Sequence, residues 1–313
     1  MARARGQNAV MALAFEAVYG TPPANGYKTV PFVSSQLGAE QGLIESDLLG
    51  FGRYPQDPTY DIVTNDGDVV VPLDARALGH WLHLLFGPPI TGPSGGAFQH
   101  TFASGASQLP SASIEIGHPD AGKYSTHYGV GANTFQIQMQ RSGLASATIG
   151  LIGKGETVPA NVSSVGAAAA IATVSRFASA SGSVTIDGVA VGEVVSANIN
   201  FSNGLDKDET IRGDGEINGI DAGMPSASIS LTTKFADVTL YNKATSKTPV
   251  MVALTWTRGA LAFKIEFGRL FLPRSKKPIT GPGGIQAQFN AIGSAGGAPL
   301  FIATLFNDIE SYA

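Results

Sequence analysis

The alternation of apolar and polar residues along the chain predicts a protein built mainly from short β-strands. Candidate strands are rich in β-branched or alternating residues, and Gly, Pro, Asn and Asp separate them. They are Asp68–Leu73, Ser111–Ile116, Thr134–Gln140, Ser183–Ile186, Val194–Phe201, Ser226–Thr232, Met251–Thr257, Leu261–Leu272 and Ile285–Ile292. Asp187-Gly188 predicts a tight hairpin turn, because both residue types tolerate a positive φ.

Helical spacing of apolar residues occurs in two interior segments. The first runs from Asp74 to Leu85, with Asp74 as its N-cap and Gly87-Pro88 as its stop signal. The second runs from Phe235 to Ala244. The Ala-rich stretch Val165–Val174 fits either a third helix or a linker.

These elements recur in the same order, which predicts two copies of one β-rich unit. Residues 33–43 parallel residues 195–205, and an acidic Gly-rich loop, a strand and a helix led by Asp74 or Asp237 follow each. Further along, the matched strands are 135–140 with 285–290, and 147–152 with 300–305.

The 313 residues are enough for about two domains. The repeat places a first unit with an N-terminal arm at residues 1–160 and a second unit at 175–313. The linker is expected at about residues 155–180.

Composition favours a subunit that covers its surface with copies of itself. Charged residues make up 14% of the chain, against the roughly 25% typical of soluble domains, so much of the surface is neutral. The net charge is −4 without a cluster of Lys and Arg, which argues against a site that holds nucleic acid by its phosphates. The absence of Cys excludes disulfides and thiol chemistry.

Export and membrane signals are weak. The apolar run Val10–Phe15 imitates a signal peptide, but Glu16 interrupts it and no small-residue cleavage site follows. Residues 166–174 have about half the length of a bilayer-spanning helix, roughly 20 residues. We expect a soluble protein without a membrane partner.

Motifs that carry chemistry are incomplete. The segment Gly117–Tyr124 has Tyr where a phosphate-binding loop needs Ser or Thr, so a hairpin loop is favoured over a nucleotide site. The Gly-x-Ser-x-Gly match Gly92–Gly96 follows a helix, although a nucleophile elbow needs a strand-to-helix turn. His80 and His83 lack a convergent partner for zinc.

An acidic cluster between Asp206 and Asp221 is the densest group of charges. Asp214 opens a calcium-loop pattern, but Pro225 stands where the bidentate Glu belongs, so an acidic surface loop is favoured over weak calcium binding. We therefore expect no cofactor and no enzymatic activity.

Three phrases resemble the tail tube proteins of long-tailed bacteriophages: Phe15–Pro22, Gly182–Gly188 and Ser196–Leu205. The resemblance implies β-sandwich units, each with one flanking helix, that close into a ring around an inner β-barrel and stack into a tube. Six units form the ring in most of the family. Two units per chain therefore imply a trimeric ring with pseudo-sixfold symmetry, with a hexamer of chains as the alternative.

The resemblance also implies partners and a location. The chain would contact itself, a tape measure protein in the lumen, and tail terminator and distal tail proteins at the tube ends. DNA would pass through without specific binding. The protein would assemble in the host cytoplasm and end in the virion.

Within such a tube, a neutral wall lets DNA slide, whereas a basic wall would hold phosphates. Alternating polar residues on two strands are candidates for the lumen face, with an ordinary solvent-facing sheet surface as the alternative: Gln136, Gln138, Gln140, Gln286, Gln288 and Asn290. The loops Glu45–Asp68 and Asp206–Met224, together with the N-terminal arm, are expected to contact the next ring. Their candidate residues are Arg53, Tyr54, Asp57, Asp61, Asp208, Asp214 and Glu216.

The main alternative is a two-domain β-sandwich adhesin or capsid-decorating protein, which would stay monomeric or form small closed oligomers. Tubes of contractile injection machines share the expected fold and are a further alternative. The state of assembly discriminates between a tube subunit and an adhesin.

Overall fold

A computed structural model describes residues 3–166, 173–235, 238–279 and 281–312. Within them, the α-helices are α1 (Leu78–Phe86) and α2 (Thr239–Ser246). The strands of the first half are β1 (Val10–Phe15), β2 (Lys28–Thr29), β3 (Ser34–Ser35), β4 (Gly38–Ile44), β5 (Thr59–Pro72), β6 (Ile90–Ser94), β7 (Ala97–Ala103), β8 (Ala112–His118), β9 (Lys123–Met139), β10 (Ser146–Gly153) and β11 (Gly155–Glu156). Those of the second half are β12 (Gly182–Ile186), β13 (Val189–Ala190), β14 (Val194–Ser202), β15 (Asp206–Asp208), β16 (Gly219–Asp221), β17 (Ser226–Lys234), β18 (Val250–Arg258), β19 (Leu261–Phe271), β20 (Gln286–Gly293) and β21 (Ile302–Asn307). The protein is mainly β, as predicted.

A central antiparallel sheet runs through both halves of the chain in the order β4-β5-β10-β9-β14-β17-β20. Gln136 of β9 lies opposite Thr148 of β10 on one side and Asn200 of β14 on the other. The boundary between the halves is therefore a continuous ladder of backbone hydrogen bonds inside one sheet.

A second layer also mixes the halves, in the order β13-β12-β18-β19-β21-β7-β6. Strand β7 comes from the first half and pairs with β21 near the end of the chain. A smaller sheet contains β2, β1, β8, the first part of β9, and β11. Strands β9 and β19 each belong to two sheets. The earlier residues of β9 pair with β8 and those of β19 pair with β18, whereas the last residues of both strands pair with strands of the central sheet.

One continuous hydrophobic core fills the space between these layers. It contains α1, whose Trp81, Leu82 and Leu85 are fully buried, together with aromatic side chains of both halves such as Phe135 and Phe301. Because the core is shared, the two halves fold as one packed body.

Both helices begin later than the sequence predicts. Helix α1 starts at Leu78 rather than Asp74, because Asp74 Oδ1 accepts the backbone N–H groups of Arg76 and Ala77 and holds a turn before the helix. The helix ends where Gly87 adopts a φ of 87°, as its sequence indicates. Helix α2 starts at Thr239, and the expected lead residue Asp237 lies outside the described residues.

Other local predictions have mixed outcomes. Asp187 and Gly188 form the predicted turn between β12 and β13, with φ values of 50° and 78°. The apolar run Val10–Phe15, which imitates a signal peptide, is strand β1. The question of a third helix at 165–174 falls largely on residues 167–172, which lie outside the described residues. In the described parts of the chain, no helix is long and apolar enough to span a bilayer.

The strand matches in the later parts of the two halves are wrong. Segments 147–152 and 300–305 do not correspond, because β10 pairs with β5 and β9 whereas β21 pairs with β19 and β7. The alternating segments 135–140 and 285–290 also differ, because β9 lies between β10 and β14 whereas β20 lies beside β17. Similar alternation of side chains arose on strands with different neighbours.

Candidate assembly surfaces

Strands β9 and β20 carry the predicted polar residues on the same face of the central sheet. Along β9, Phe135, Ile137 and Met139 are buried, whereas Gln136 and Gln138 are exposed. Along β20, the buried residues alternate in the same way with three exposed residues, Gln286, Gln288 and Asn290. Gln140 is exposed just after the end of β9. The period of two residues in a strand explains this separation into a core face and an outer face.

Strands β14 and β17 lie between β9 and β20 and continue the same outer surface. Most cross-strand neighbours on this surface are amides and hydroxyls, such as Gln138 opposite Asn198 and Asn198 opposite Ser230, and Lys234 opposite Gln286 is a charged exception. Ser230 Oγ is 2.8 Å from Asn290 Oδ1 and 2.8 Å from Gln288 Nε2. We call this surface the polar face; its residues are Gln136, Gln138, Asn198, Asn200, Ser228, Ser230, Gln288 and Asn290. All of these side chains are uncharged, so the polar face has dipoles without net charge.

At one end of the central sheet, β4 and β5 extend as a long hairpin, residues 42–62, which we call the arm. Large apolar side chains are exposed along it, with Leu49 93% and Tyr54 85% accessible. The predicted contact residues Arg53, Asp57 and Asp61 are also exposed. A hairpin that exposes this much apolar surface is typical of a segment that packs against another chain.

The acidic hairpin, residues 206–221, lies against the base of the arm. Lys207 Nζ is 2.5 Å from Asp66 Oδ2, and the backbone N–H of Val63 donates to Gly215 O. Its ends pair as β15 and β16. The two loops that the sequence matched are therefore neighbours at one end of the molecule.

Charged residues of the acidic hairpin have partners within the chain. Asp214 forms an ion pair with Arg212, and Asp208 accepts a hydrogen bond from the side chain of Asn218. Glu216 accepts a hydrogen bond of 2.5 Å from the hydroxyl of Tyr128, and burial together with this carboxylate raises the pKa of Tyr128 to about 12. Glu216 thus fastens the hairpin to β9.

Glu16 has a structural role that reasoning from the sequence missed. Its carboxylate accepts hydrogen bonds from the backbone N–H groups of Gly20 and Gly129 and from the hydroxyls of Ser111 and Ser113, at 2.6–2.8 Å. It therefore joins the turn after β1 to β8 and β9. The phrase Phe15–Pro22 contains the signal, a carboxylate four residues before a Gly whose N–H it binds.

Segments with partial catalytic motifs form ordinary hairpins. Gly117 and Tyr124 are paired residues of the β8–β9 hairpin, so no helix begins after this loop. Gly95 and Gly96 form the turn between β6 and β7, with φ values of 57° and 86°. Among the described residues, no group of three His, Asp or Glu side chains is arranged to hold a metal ion.

Comparison with known families agrees with these features. A family model described as "Phage tail tube protein" matches residues 6–293, which is most of the chain. A search of curated proteins found no significant match. The matched region includes the polar face, the arm and the acidic hairpin. The chain therefore belongs to the phage tail tube protein family and is a structural component of the virion.

Proposed function

We propose that this chain assembles with copies of itself into rings, and that the rings stack into the tube through which phage DNA passes into the host. The observation that carries the proposal is the polar face. The amides and hydroxyls of the polar face offer DNA phosphates no fixed positive charge, so this face would line a channel without retaining DNA. The lumen residues would be Gln136, Gln138, Gln140, Gln286, Gln288 and Asn290.

Ring closure would join the open edges of central sheets from neighbouring chains into one inner barrel. Strand β4 forms one edge of this sheet, with exposed residues along nearly all its length. Unpaired edges favour pairing with another chain, and a closed barrel removes them. The open edge thus supports a ring of copies over a monomer.

We infer that each chain supplies two tube units, residues 1–160 and 175–313, joined at about 155–180. The order β4-β5-β10-β9 in the first half recurs as β14-β17-β20-β19 in the second. Three chains would then complete a ring of six units.

The arm and the acidic hairpin would contact the next ring, through Arg53, Tyr54, Asp57, Asp61, Asp208, Asp214 and Glu216. Their common location at one end of the sheet supports a role in stacking. A tape measure protein would fill the lumen during assembly in the host cytoplasm. Tail terminator and distal tail proteins would bind the tube ends.

Negative-stain electron microscopy of the concentrated protein tests this proposal. Stacked rings with a central channel would support it, and the rotational symmetry counts the chains in each ring. A ring of six chains would contradict the trimeric arrangement. Small closed oligomers without a channel would favour a decorating or adhesive protein.

Replacing Gln136, Gln138 and Gln140 together with Lys tests the lumen assignment. Tubes should still form, but DNA ejection should slow because the wall would hold phosphates. Ejection at the wild-type rate would argue against a lumen position. Deleting residues 45–58 of the arm should separately leave rings without tubes, and long tubes from this variant would contradict the stacking role.

A further inference from the structure

The two halves share strand registers as well as strand order. Ser35 pairs with Val69, and the residues that correspond to them, Ala197 and Leu231, also pair. The number of positions from Ser35 to Ala197 equals the number from Val69 to Leu231. Strands β3–β4 with β5 are therefore equivalent to β14 with β17, residue by residue.

The same comparison fixes the equivalent of β10. Ile149 lies opposite Val69, and Phe289 lies opposite Leu231, so β10 is equivalent to β20. Identical residues then coincide, since Ile152-Gly153 corresponds to Ile292-Gly293. The equivalence of these strands rests on pairing and agrees with the sequence.

The last part of β9 and residues 272–279 are the next equivalent pair. Gly131 lies opposite Ile152, and Phe271 lies opposite Ile292, so Gly131 corresponds to Phe271. Counting forward, Ala132 corresponds to Leu272, and both are buried. Residues 272–279 thus have the place that the end of β9 has in the first half.

In the isolated chain, residues 272–279 form no strand although they run beside β20. The hydroxyl of Ser275 donates to Gln288 O at 2.6 Å, and Lys277 Nζ lies 4.6 Å and 4.1 Å from the ring centroids of Phe235 and Tyr241. In the first half, the equivalent residues are held in a strand by a second neighbour, β14. What residues 272–279 lack is that second neighbour.

Two prolines in this segment are compatible with a strand. Pro273 corresponds to Asn133, the additional residue at the irregularity where β9 pairs with β10. Proline is tolerated at such bulges and at strand ends, and Pro278 falls near the end of the equivalent stretch. Residues 274–277 contain no proline, so each residue of a strand over this range has a backbone N–H that can donate a hydrogen bond in the sheet.

The missing neighbour is predicted by the repeat, because the equivalent of β14 is β4, which pairs only with β5 among the described strands. On the outer edge of β4, the backbone N–H of Ala39 donates to Glu156 Oε2, a contact that an incoming strand would replace. We propose that residues 274–277 become a strand between β20 and β4 of a second copy of this chain, an inference that rests on the proposed ring. Thr134 lies opposite Ser202 in the internal junction. Their equivalents are Arg274 and Glu40, which therefore face each other across the junction between two chains.

Charge supports this register. Arg274 and Glu40 are exposed, and neither forms an ion pair with a described residue of its own chain. Their equivalents Thr134 and Ser202 lie on the side of the sheet that carries the polar face. Opposite charges directly across two strands stabilise their pairing. The chain thus has a cation at one edge of its central sheet and a matching anion at the other.

Disulfide trapping tests the register, and the absence of natural Cys makes it clean. In the double variant Glu40→Cys/Arg274→Cys, partner Cα atoms would lie about 4.5–5.5 Å apart, within disulfide range. Within one chain, seven strand spacings of about 4.8 Å separate the two positions, which prevents an internal bond. The control Gln36→Cys/Arg274→Cys moves one Cys about 13 Å along the strand.

After mild oxidation, the double variant should give a ladder of linked chains that ends at the number of chains in the ring, and the control should not. Equal linking in both variants, or none in the first, overturns the register. Tubes by microscopy without the ladder would refute the junction and leave the proposed tube standing. If neither tubes nor the ladder forms, both the junction and the proposed tube are refuted.

A charge exchange provides a second test without Cys. Arg274→Glu should raise the concentration at which assembly begins about fivefold, because two carboxylates then face each other. The exchange Arg274→Glu/Glu40→Arg should restore the wild-type value. An unchanged melting temperature in each variant would show that folding is intact, and failure of the exchange to restore assembly overturns the pair.

Discussion

The two helices follow β5 and β17, which correspond to each other in the proposed repeat, yet one helix lies inside the molecule and the other on its surface. Eight of the nine residues of α1 are buried, whereas α2 buries Ala244 alone. Helix α1 contacts β7 and β9, and Tyr312 near the end of the chain packs over it. The difference teaches that a corresponding position in the proposed repeat does not determine burial, because the covering strands come from elsewhere in the chain.

The sequences of the helices agree with these environments. Helix α1 is apolar on nearly all sides, as expected of a buried helix, whereas α2 is largely polar. Stability should therefore depend strongly on α1 and weakly on α2.

The largest difference is expected from matched leucine substitutions. Leu82→Ala in α1 should lower the free energy of unfolding by about 2–5 kcal/mol, because a fully buried side chain leaves a cavity. Leu240→Ala in α2 should cost about 1 kcal/mol, since Leu240 is only partly buried. Urea unfolding of both variants measures the contrast, and equal losses would contradict it.

A smaller loss is expected from Gly79→Ala in α1. Alanine favours a helix over glycine by about 1 kcal/mol, but its Cβ would lie 2.2 Å from ring atoms of Tyr312. The overlap should make the substitution destabilising by about 1–3 kcal/mol. In a Tyr312→Ala background the same change should become stabilising. A higher melting temperature for the single variant would show that the contact yields easily.

Acid should weaken the region of α1 before that of α2, which contains no His. Burial, with smaller contributions from the charges of Lys28 and His83, lowers the pKa of His80 to about 4. The unfolded chain then binds more protons below pH 6.5, so stability falls as the pH decreases from about 6.5 to 4. The slope from His80 is at most about 1.4 kcal/mol per pH unit. Urea midpoints at pH 7 and pH 5 should differ less in His80→Gln.

The smallest effect is expected from the ion pair of α2. Lys243 contacts Asp187 at a partly exposed position, so Lys243→Ala should cost no more than about 0.5–1 kcal/mol. Arg76, just before α1, binds Asp308 and also Thr173 O, so Arg76→Ala should cost more. Comparable melting temperatures for these two variants would weaken the contrast between the helices.

Local patterns predicted much of the fold. Strands such as β8, β12 and β14 were expected within a few residues, because alternation and turn residues are visible in short windows. Strand β9 is longer than the predicted segment Thr134–Gln140, since it spans 17 residues from Lys123 to Met139. The β7–β21 pairing could not be predicted from the sequence, because no residue near either strand specifies so distant a partner.

For the polar surfaces too, local features could be predicted from the sequence and long-range pairing could not. The exposure of Gln136 and Gln288 follows from alternation alone. That β14 and β17 join their strands into one surface depends on long-range pairing. The role of Glu16 depends on three separate elements, so its sequence neighbours reveal only the turn.

The pairing of β7 with β21 has a consequence for synthesis. A ribosome releases the first half long before it makes Ile302, the residue that lies opposite Ala103. During synthesis, β7 therefore lacks its partner β21, and helix α1 lacks its contact with Tyr312, until the last part of the chain is made. We expect translation products that stop before β21 to remain incompletely folded, because β7 then lacks its partner strand and α1 lacks the side chain of Tyr312.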